Sequence, residues 1–591
     1  MKKQVLKLAV ILMFGFFASK ALASNIQIFE RPTIEHSGNF MYVTFSLSWD
    51  YSWRTVDPNN WDAAWVFVKY RVGSGDWDHM FLDHTFTPTV GNDNGVAMTH
   101  EYGASFVPDF GGNRAVGVFL HRRDHGRGNI VWDDVRLRWN RATPGIYHGG
   151  NVLATDEITV RVFAIEMVYV PQGPFFLGSG NPHLTAHHSE FTRADIPGGA
   201  VNTAANIGQP FLVTSEDAIS IRARRGSTTV PANLATQNED PANPGNPLPG
   251  GLSTVGNNFS VSVAGSIGPV GEGEAGIPAA FPKGFRAFYV MKYEISQGAY
   301  VDFLNTLTTQ QQLARTRGIT ATSASRTRAM MQTNASDRNW IVVVRQGVIE
   351  FGMDLNNNGI FNEEDDGENI ANAMNHQDLM AFLDFAGLRP MTELEFEKAS
   401  RGPRDPVPGE FVWGSVFFNS HVTALNAVAT ATAFFFAPGT AGRPNERPNA
   451  PFINHMHSTG GAIGQQSAVT RNGAFADSAS GRMTSGATYW GIMEMGNNLW
   501  ELTIGVANAA GRGFTGQHGD GRLTPGGAQN VTGWPIDFTG FGLRGGSTAE
   551  AITTGHHGIS ARANAFWNSN PGNSWNVGGR GVRTAHTHTQ L

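Results

Sequence analysis

The chain has 591 residues, with 43 lysines and arginines against 49 aspartates and glutamates, a formal net charge of -6. So mild a charge over so long a chain argues against nucleic acid or an acidic membrane surface as partner. No residue is cysteine, which excludes disulfides, a lipid anchor on an N-terminal cysteine, a thiolate nucleophile and any cysteine-bearing metal site. The 71 glycines, 29 prolines and a charged fraction of only 16% point to a loop-rich, mainly β or irregular protein of several domains.

Lys2, Lys3 and Lys7 precede an apolar run from Leu8 to Phe17, and Ala21-Leu22-Ala23 supplies the small-x-small pattern of a cleavage site. This predicts a secretory signal peptide over residues 1–23, a mature chain beginning near Ser24, and an exported protein that is periplasmic, on the outer surface or secreted. The run is short of the about 20 residues a membrane span needs, and no later stretch replaces it, so the chain is not expected to span a membrane.

Residues 24–165 read as an all-β sandwich. From Phe40 to Trp49 the residues Val43, Phe45, Leu47 and Trp49 alternate with Tyr42, Thr44, Ser46 and Ser48, the period of a half-buried strand. Ala64–Val72, Ala115–Arg122, Val131–Trp139 and Glu157–Phe163 repeat the theme, separated by turn clusters such as Asp57-Pro58-Asn59-Asn60 and Gly111-Gly112-Asn113. About seven or eight strands are expected. The tryptophans here (Trp49, Trp53, Trp61, Trp65, Trp77) fit either an aromatic platform for glycan or, more simply, core packing.

A second domain is expected over residues 166–591, with insertions at about 181–282 and 308–375. It opens on the short strand Met167–Pro171. Ser296 is placed to cap a helix carrying Tyr300, Phe303, Leu304 and Leu307. The stretch from Asp354 to Asp365 follows the D-x-[DN]-x-[DN]-G pattern of a calcium loop: Asp354, Asn356 and Asn358 supply oxygens, Gly359 the sharp turn, Ile360 a carbonyl and Asp365 the closing carboxylate. The bland alternative is a solvated Asn-rich turn. Thr392 and Glu395 form a capping box for a second helix, blocked behind by Pro390 and closed by Gly402.

Six landmarks in one order carry a family resemblance. They are Met167-Val-Tyr-Val-Pro-Gln-Gly173, Phe288 to Gln297, Gly387 to Gly402, Gly491 to Glu501 (Gly-Ile-Met-Glu-Met-Gly-Asn-Asn-Leu-Trp-Glu), Arg544-Gly545-Gly546-Ser547, and Gly579-Arg580-Gly581-Val582-Arg583. Together they resemble the formylglycine-generating-enzyme, or sulfatase-modifying-factor, domain. The resemblance implies an α+β fold: the N-terminal β-sandwich followed by a C-type-lectin-like domain of that type with long loop insertions.

The resemblance also implies a calcium site in which Glu494 and Glu501 offer side chains and Asn497 and Leu499 carbonyls. The family's activity rests on copper held by two cysteines just beyond the R-G-G-S element. Those places fall near Glu550 and Gly555, and neither supplies the soft thiolate that selects Cu(I). A second branch holds iron with three histidines from an H-x-x-x-H-x-E helix, a pattern absent here. His455 and His457, or His556 and His557, are pairs without a third ligand. Arg389, Arg544, Arg580 and Arg583 read either as an anion clamp or, better, as ties between irregular loops.

No catalytic residue and no redox cofactor is expected, and structural Ca2+ is the one implied ion. The expected function is an exported, non-catalytic protein that binds protein or glycan at the cell envelope, or is a subunit of a surface or secretion assembly, with oligomerisation allowed. The alternative is a metal-dependent oxidoreductase of the same family with unidentified ligands.

Overall fold

The computed structural model describes residues 26–92, 97–106, 113–141, 152–153, 155–180, 190–193, 210–220, 276–330, 339–354, 358–362, 371–417, 471–473, 480–547, 555–562 and 576–585, with shorter pieces between. The predicted signal peptide lies outside them. So do His457, Glu550 and two of the predicted calcium ligands, Asn356 and Asp365. Among the described residues the protein is mainly β, with a large, predominantly antiparallel sheet and a few short helices.

The first strands are β1 (Gln27–Ile28), β2 (Thr33–Ser37), β3 (Phe40–Thr55), β4 (Asn60–Val72), β5 (Asp78–Met80), β6 (Met98–Phe106), β7 (Asn113–Arg122), β8 (Gly126–Asn140) and β9 (Ile158–Val170). After β9 come β10 (Phe288–Met291), the hairpin β11 (Ile341–Arg345) and β12 (Val348–Met353), β13 (Arg389–Pro390), β14 (Trp500–Ile504), β15 (Phe541–Arg544), β16 (Val577–Gly578) and β17 (Gly581–Thr584). The large sheet runs β1-β3-β4-β9-β10-β17-β13, with β2 and β8 on β3, β5 and β7 on β4, and β6 on β7. Its path joins the two halves of the chain. β9 runs unbroken from Ile158 to Val170, so the expected domain boundary near residue 165 falls inside a strand and not in a linker. The reason is local: Ile165 to Val170 keeps the β-branched, apolar character that extends a strand.

β4 explains how the layers stack. Ala64, Val66, Val68 and Tyr70 share one core with Val43, Phe45, Leu47 and Trp49 of β3 and Trp132, Val135, Leu137 and Trp139 of β8. Trp61, Ala63, Trp65 and Phe67 face the opposite way, into a second core with the helices. A strand buried on both faces reads as a continuous apolar run, as Ala63 to Val68 does. The alternation expected from Phe40 to Trp49 is observed, with Val43, Phe45, Leu47 and Trp49 buried. Of the five tryptophans, Trp49, Trp61 and Trp65 are buried, and Trp49 Nε1 donates to Asp62 at 2.8 Å. Core packing therefore accounts for these three.

The helices are α1 (Gln297–Leu304), α2 (Thr309–Arg315), α3 (His376–Phe385) and α4 (Glu393–Arg401). Ser296 caps α1, accepting from Ala299 N. Thr392 and Glu395 close the predicted capping box on α4, and Gly402 ends it at φ 70°. α1 and α3 lay Tyr300, Phe303, Phe382 and Phe385 against the Trp65 and Phe67 face of the sheet. α4 is buried on every side, charged residues included. Its carboxylates are held by arginines of β13 and β15 and by Arg562. Arg389 forks onto Glu395 at 2.9 and 2.6 Å. Arg544 reaches Glu393 and Glu397, and Arg562 forks onto Glu393 at 2.7 and 2.9 Å. Arg583 donates to the carbonyls of Gly387 and Ala104, tying β17 to β6. These arginines are internal cross-links to buried carboxylates and carbonyls.

Candidate functional site

Four of the six landmark segments lie side by side in the large sheet, and the other two pair with each other in a smaller one. The strands β9 and β10 pair from Val170↔Phe288 to Met167↔Met291, β10 pairs with β17, and β17 with β13. β14 pairs with β15 and β16. The residues expected to hold calcium near β14 lie in one buried patch. Glu494 has positive φ (54°) and accepts from Gly473 N at 2.8 Å. Burial pushes its carboxyl up to about 7, against the pull of that N–H and of Arg580. Asn497 is buried beside it. The Leu499 backbone N–H donates to Glu294 at 3.1 Å. Glu501 Oε1 is held by Arg580, whose Nε lies at 2.6 Å, the arginine pairing that competes with a metal role. Glu294, which the sequence reading did not single out, joins them, and burial plus the Glu501 charge push its carboxyl well above the ordinary range.

The Asp354 loop is described in part. Asp354 is buried and Oδ1 accepts from Gly359 N at 3.4 Å, while Arg326 Nε lies 3.0 Å from Oδ2. Gly359 has φ 84°, as the sharp turn needs, Asn358 Oδ1 accepts from Ile360 N, and Ile360 is exposed. Among the described residues, no group of three or more histidines, aspartates or glutamates is gathered as a metal-binding cluster. His557 is buried with Nε2 3.2 Å from Ser547 O.

A second buried polar group went unnoticed in the sequence. Asp62 of β4 accepts from Trp49 Nε1, Ser52 Oγ and Trp53 N. Glu166 of β9 lies beside it and accepts from Lys292 Nζ at 2.7 Å. Two carboxylates against one ammonium leave one negative charge too many in a buried site. Burial and the neighbouring Asp62 push Glu166 up to about 8, although Lys292 pulls the other way. The two acids behave as a pair sharing a proton while Lys292 stays charged. A lone acid inside the apolar run Ile165–Val170 was the available signal.

This group opens onto a cavity of about 650 Å³ lined among others by Glu166, Tyr293, Glu294, Asp302, Asn472 and Arg161. A second cavity of about 580 Å³ shares Arg161, Ala164, Ile165, Asp302 and the segment Ile26–Gln27 with it, and is walled by Phe29, Phe163 and Phe385. The groove is thus polar at one end and apolar at the other. Besides Glu166 Oε2, two buried polar atoms at its wall have no hydrogen-bond partner: Arg161 Nη1, a donor, and Asn472 Oδ1, an acceptor. Buried polar groups are nearly always paired, so two orphans of opposite kind in one groove call for a ligand or water. None of these groove residues was legible as a site, because they come from β9, α1 and the segment Arg471–Asn472, which are far apart along the chain.

Comparison of the chain with protein-family profiles and with curated proteins returns no match.

Proposed function

We propose that this protein is an exported, non-catalytic recognition protein, built as an N-terminal β-sandwich on a C-type-lectin-like, sulfatase-modifying-factor-like scaffold. It binds protein or glycan at the cell envelope or serves as a subunit of an assembly there. The observation that carries the reading is the groove along β9 with its two unpaired polar atoms, in a chain that has no cysteine. Pockets of this size with a few convergent polar groups are the usual form of a binding site. The meeting of the landmark segments around β10 and β17 supports the scaffold assignment. The missing thiolates remove the copper chemistry of the family it resembles.

The test pairs a binding measurement with an activity measurement. Arg161→Glu reverses the charge of the orphaned donor and is expected to weaken binding of an envelope-derived peptide or oligosaccharide at least tenfold in calorimetric titration. A sulfatase-type cysteine peptide incubated with the purified protein is expected to yield no aldehyde with a hydrazide probe. Formylglycine in that peptide would overturn the reading.

Calcium in this proposal is structural. Asp354→Ala is expected to remove about one equivalent of bound calcium and to abolish any rise of Tm on calcium addition, because it deletes the first ligand of the loop. Equal calcium stoichiometry in the variant and the parent would assign the loop to Arg326 and hydrogen bonding alone.

A further inference from the structure

β9 is paired on both sides for only part of its length. β4 covers one edge throughout, from Val72↔Ile158 to Asp62↔Val168 with no break in register. On the other edge β10 covers only Met167 to Val170, and the last bond on that side runs from Lys292 N to Glu166 O. In an antiparallel ladder the N–H and C=O of one residue point to the same neighbour, and the neighbour alternates along the strand. Val160, Val162 and Ala164 share the parity of Glu166. Their three N–H and three C=O groups therefore point away from β4, and no described strand pairs with them, although β1 comes close across the groove. Both cavities lie along this stretch: Ala164, Ile165 and Arg161 line both, and Val160, Val162 and Phe163 line the second. The faces of the strand are covered while its edge is open to a groove, which is the reverse of how an edge is ordinarily protected.

We propose that this edge is a docking site for an extended peptide of another protein, which adds to the sheet as a strand beside Val160–Ala164. The inference rests on the recognition reading above and names its partner. Main-chain bonds to the open edge would supply affinity and the groove walls the side-chain preference. At the Glu166 end the walls carry Glu294, Asp302 and Glu350 as well, against Arg161 and Arg471. At the other end they are Phe29, Phe163, Val162 and Phe385. The complementary peptide is apolar at one end and polar at the other. An oligosaccharide would satisfy the two orphaned atoms but not a row of alternating backbone donors and acceptors.

The probe is a fluorescein-labelled seven-residue peptide of alternating valine and threonine ending in lysine, titrated by anisotropy against the chain from Ser24 onward. Saturable binding is expected. N-methylation of alternate residues is expected to weaken it at least tenfold in one register and less than threefold in the other, because only every second peptide N–H faces β9. Hydrogen exchange is expected to slow for three amides within residues 158–166. Val162→Pro, which removes an N–H not used by β4, is expected to lower affinity at least tenfold. N-methylation by residue leaves the protein untouched, so it decides the matter even if Val162→Pro folds poorly. No saturation, or equal weakening in both registers, overturns the proposal. Oligosaccharide binding without peptide binding also overturns it while leaving the recognition reading standing, and aldehyde formation overturns that reading alone.

Discussion

Glu393→Gln is expected to destabilise the protein by about 3–5 kcal/mol, the usual cost of removing one partner from a buried ion pair. Glu393 is the junction of the C-terminal half. Its carboxylate takes two bonds from Arg562, one from Arg544 at 3.2 Å and one from Val506 N at 2.7 Å. Gln keeps the shape but offers one acceptor oxygen in place of two and no charge. The guanidiniums left behind are fully buried and lack water to replace the lost carboxylate. Urea unfolding measures the change. The exposed pair Arg345–Glu350, at 3.7 Å, is the internal comparison: Arg345→Gln should alter stability by no more than about 1 kcal/mol. If the two variants unfold at the same urea concentration, the buried network is not a stabilising junction. The difference should also depend on pH. Burial opposes ionisation of Glu393, but Arg562 and Arg544 outweigh it and hold the carboxyl below its ordinary value. A lowered carboxyl contributes stability above the ordinary glutamate range and loses it as pH falls through the folded value. The gap between wild type and Glu393→Gln should therefore narrow in acid.

Glu166→Gln is expected to change the pH profile with the opposite sign. The Glu166 carboxyl is pushed up to about 8 by burial and by Asp62, so the folded state holds a proton that the unfolded state has released. A raised carboxyl contributes stability that is full below the ordinary glutamate value and is lost as pH rises through the folded value. Each unit of such displacement corresponds to about 1.4 kcal/mol. Calorimetric Tm of the wild type should fall by several degrees between pH 6 and pH 9. Glu166→Gln supplies a permanent N–H donor to Asp62 and leaves one carboxylate against Lys292, so its Tm should stay level over that window and exceed the wild type at pH 9. Parallel profiles for the two proteins would show that Asp62 and Glu166 share no proton.

What was legible in the sequence follows from range. The alternation of Val43 to Trp49, the caps at Ser296 and Thr392 and the glycine end at Gly402 are set by residues within a turn or a strand of one another, and the structure has them as expected. The arginines do meet carboxylates and carbonyls as expected, but Arg389, Arg544 and Arg583 do so from strands and not from loops. The extent of β9 was misjudged since a strand shows no mark where it passes from one core to the next. The expected metal residues were legible as residue types only. Whether Glu501 meets a cation from solution or Arg580 depends on a residue 79 positions away.

The sequence by itself determined the chemistry that is excluded: with no cysteine at any of 591 positions, no thiolate or thiolate-held metal can form, in any fold. It also determined the alternating strand from Val43 to Trp49 and the two capped helices α1 and α4, because propensity, period and capping act between near neighbours, whereas α2, α3 and the β11–β12 hairpin were not read from it. Only the tertiary structure decided that Asp62, Glu166 and Lys292 meet, and that β9 keeps one edge unpaired beside a groove. Those outcomes depend on which strand lies next to which, and strand neighbours are chosen by the burial of whole faces rather than by any residue pattern along the chain.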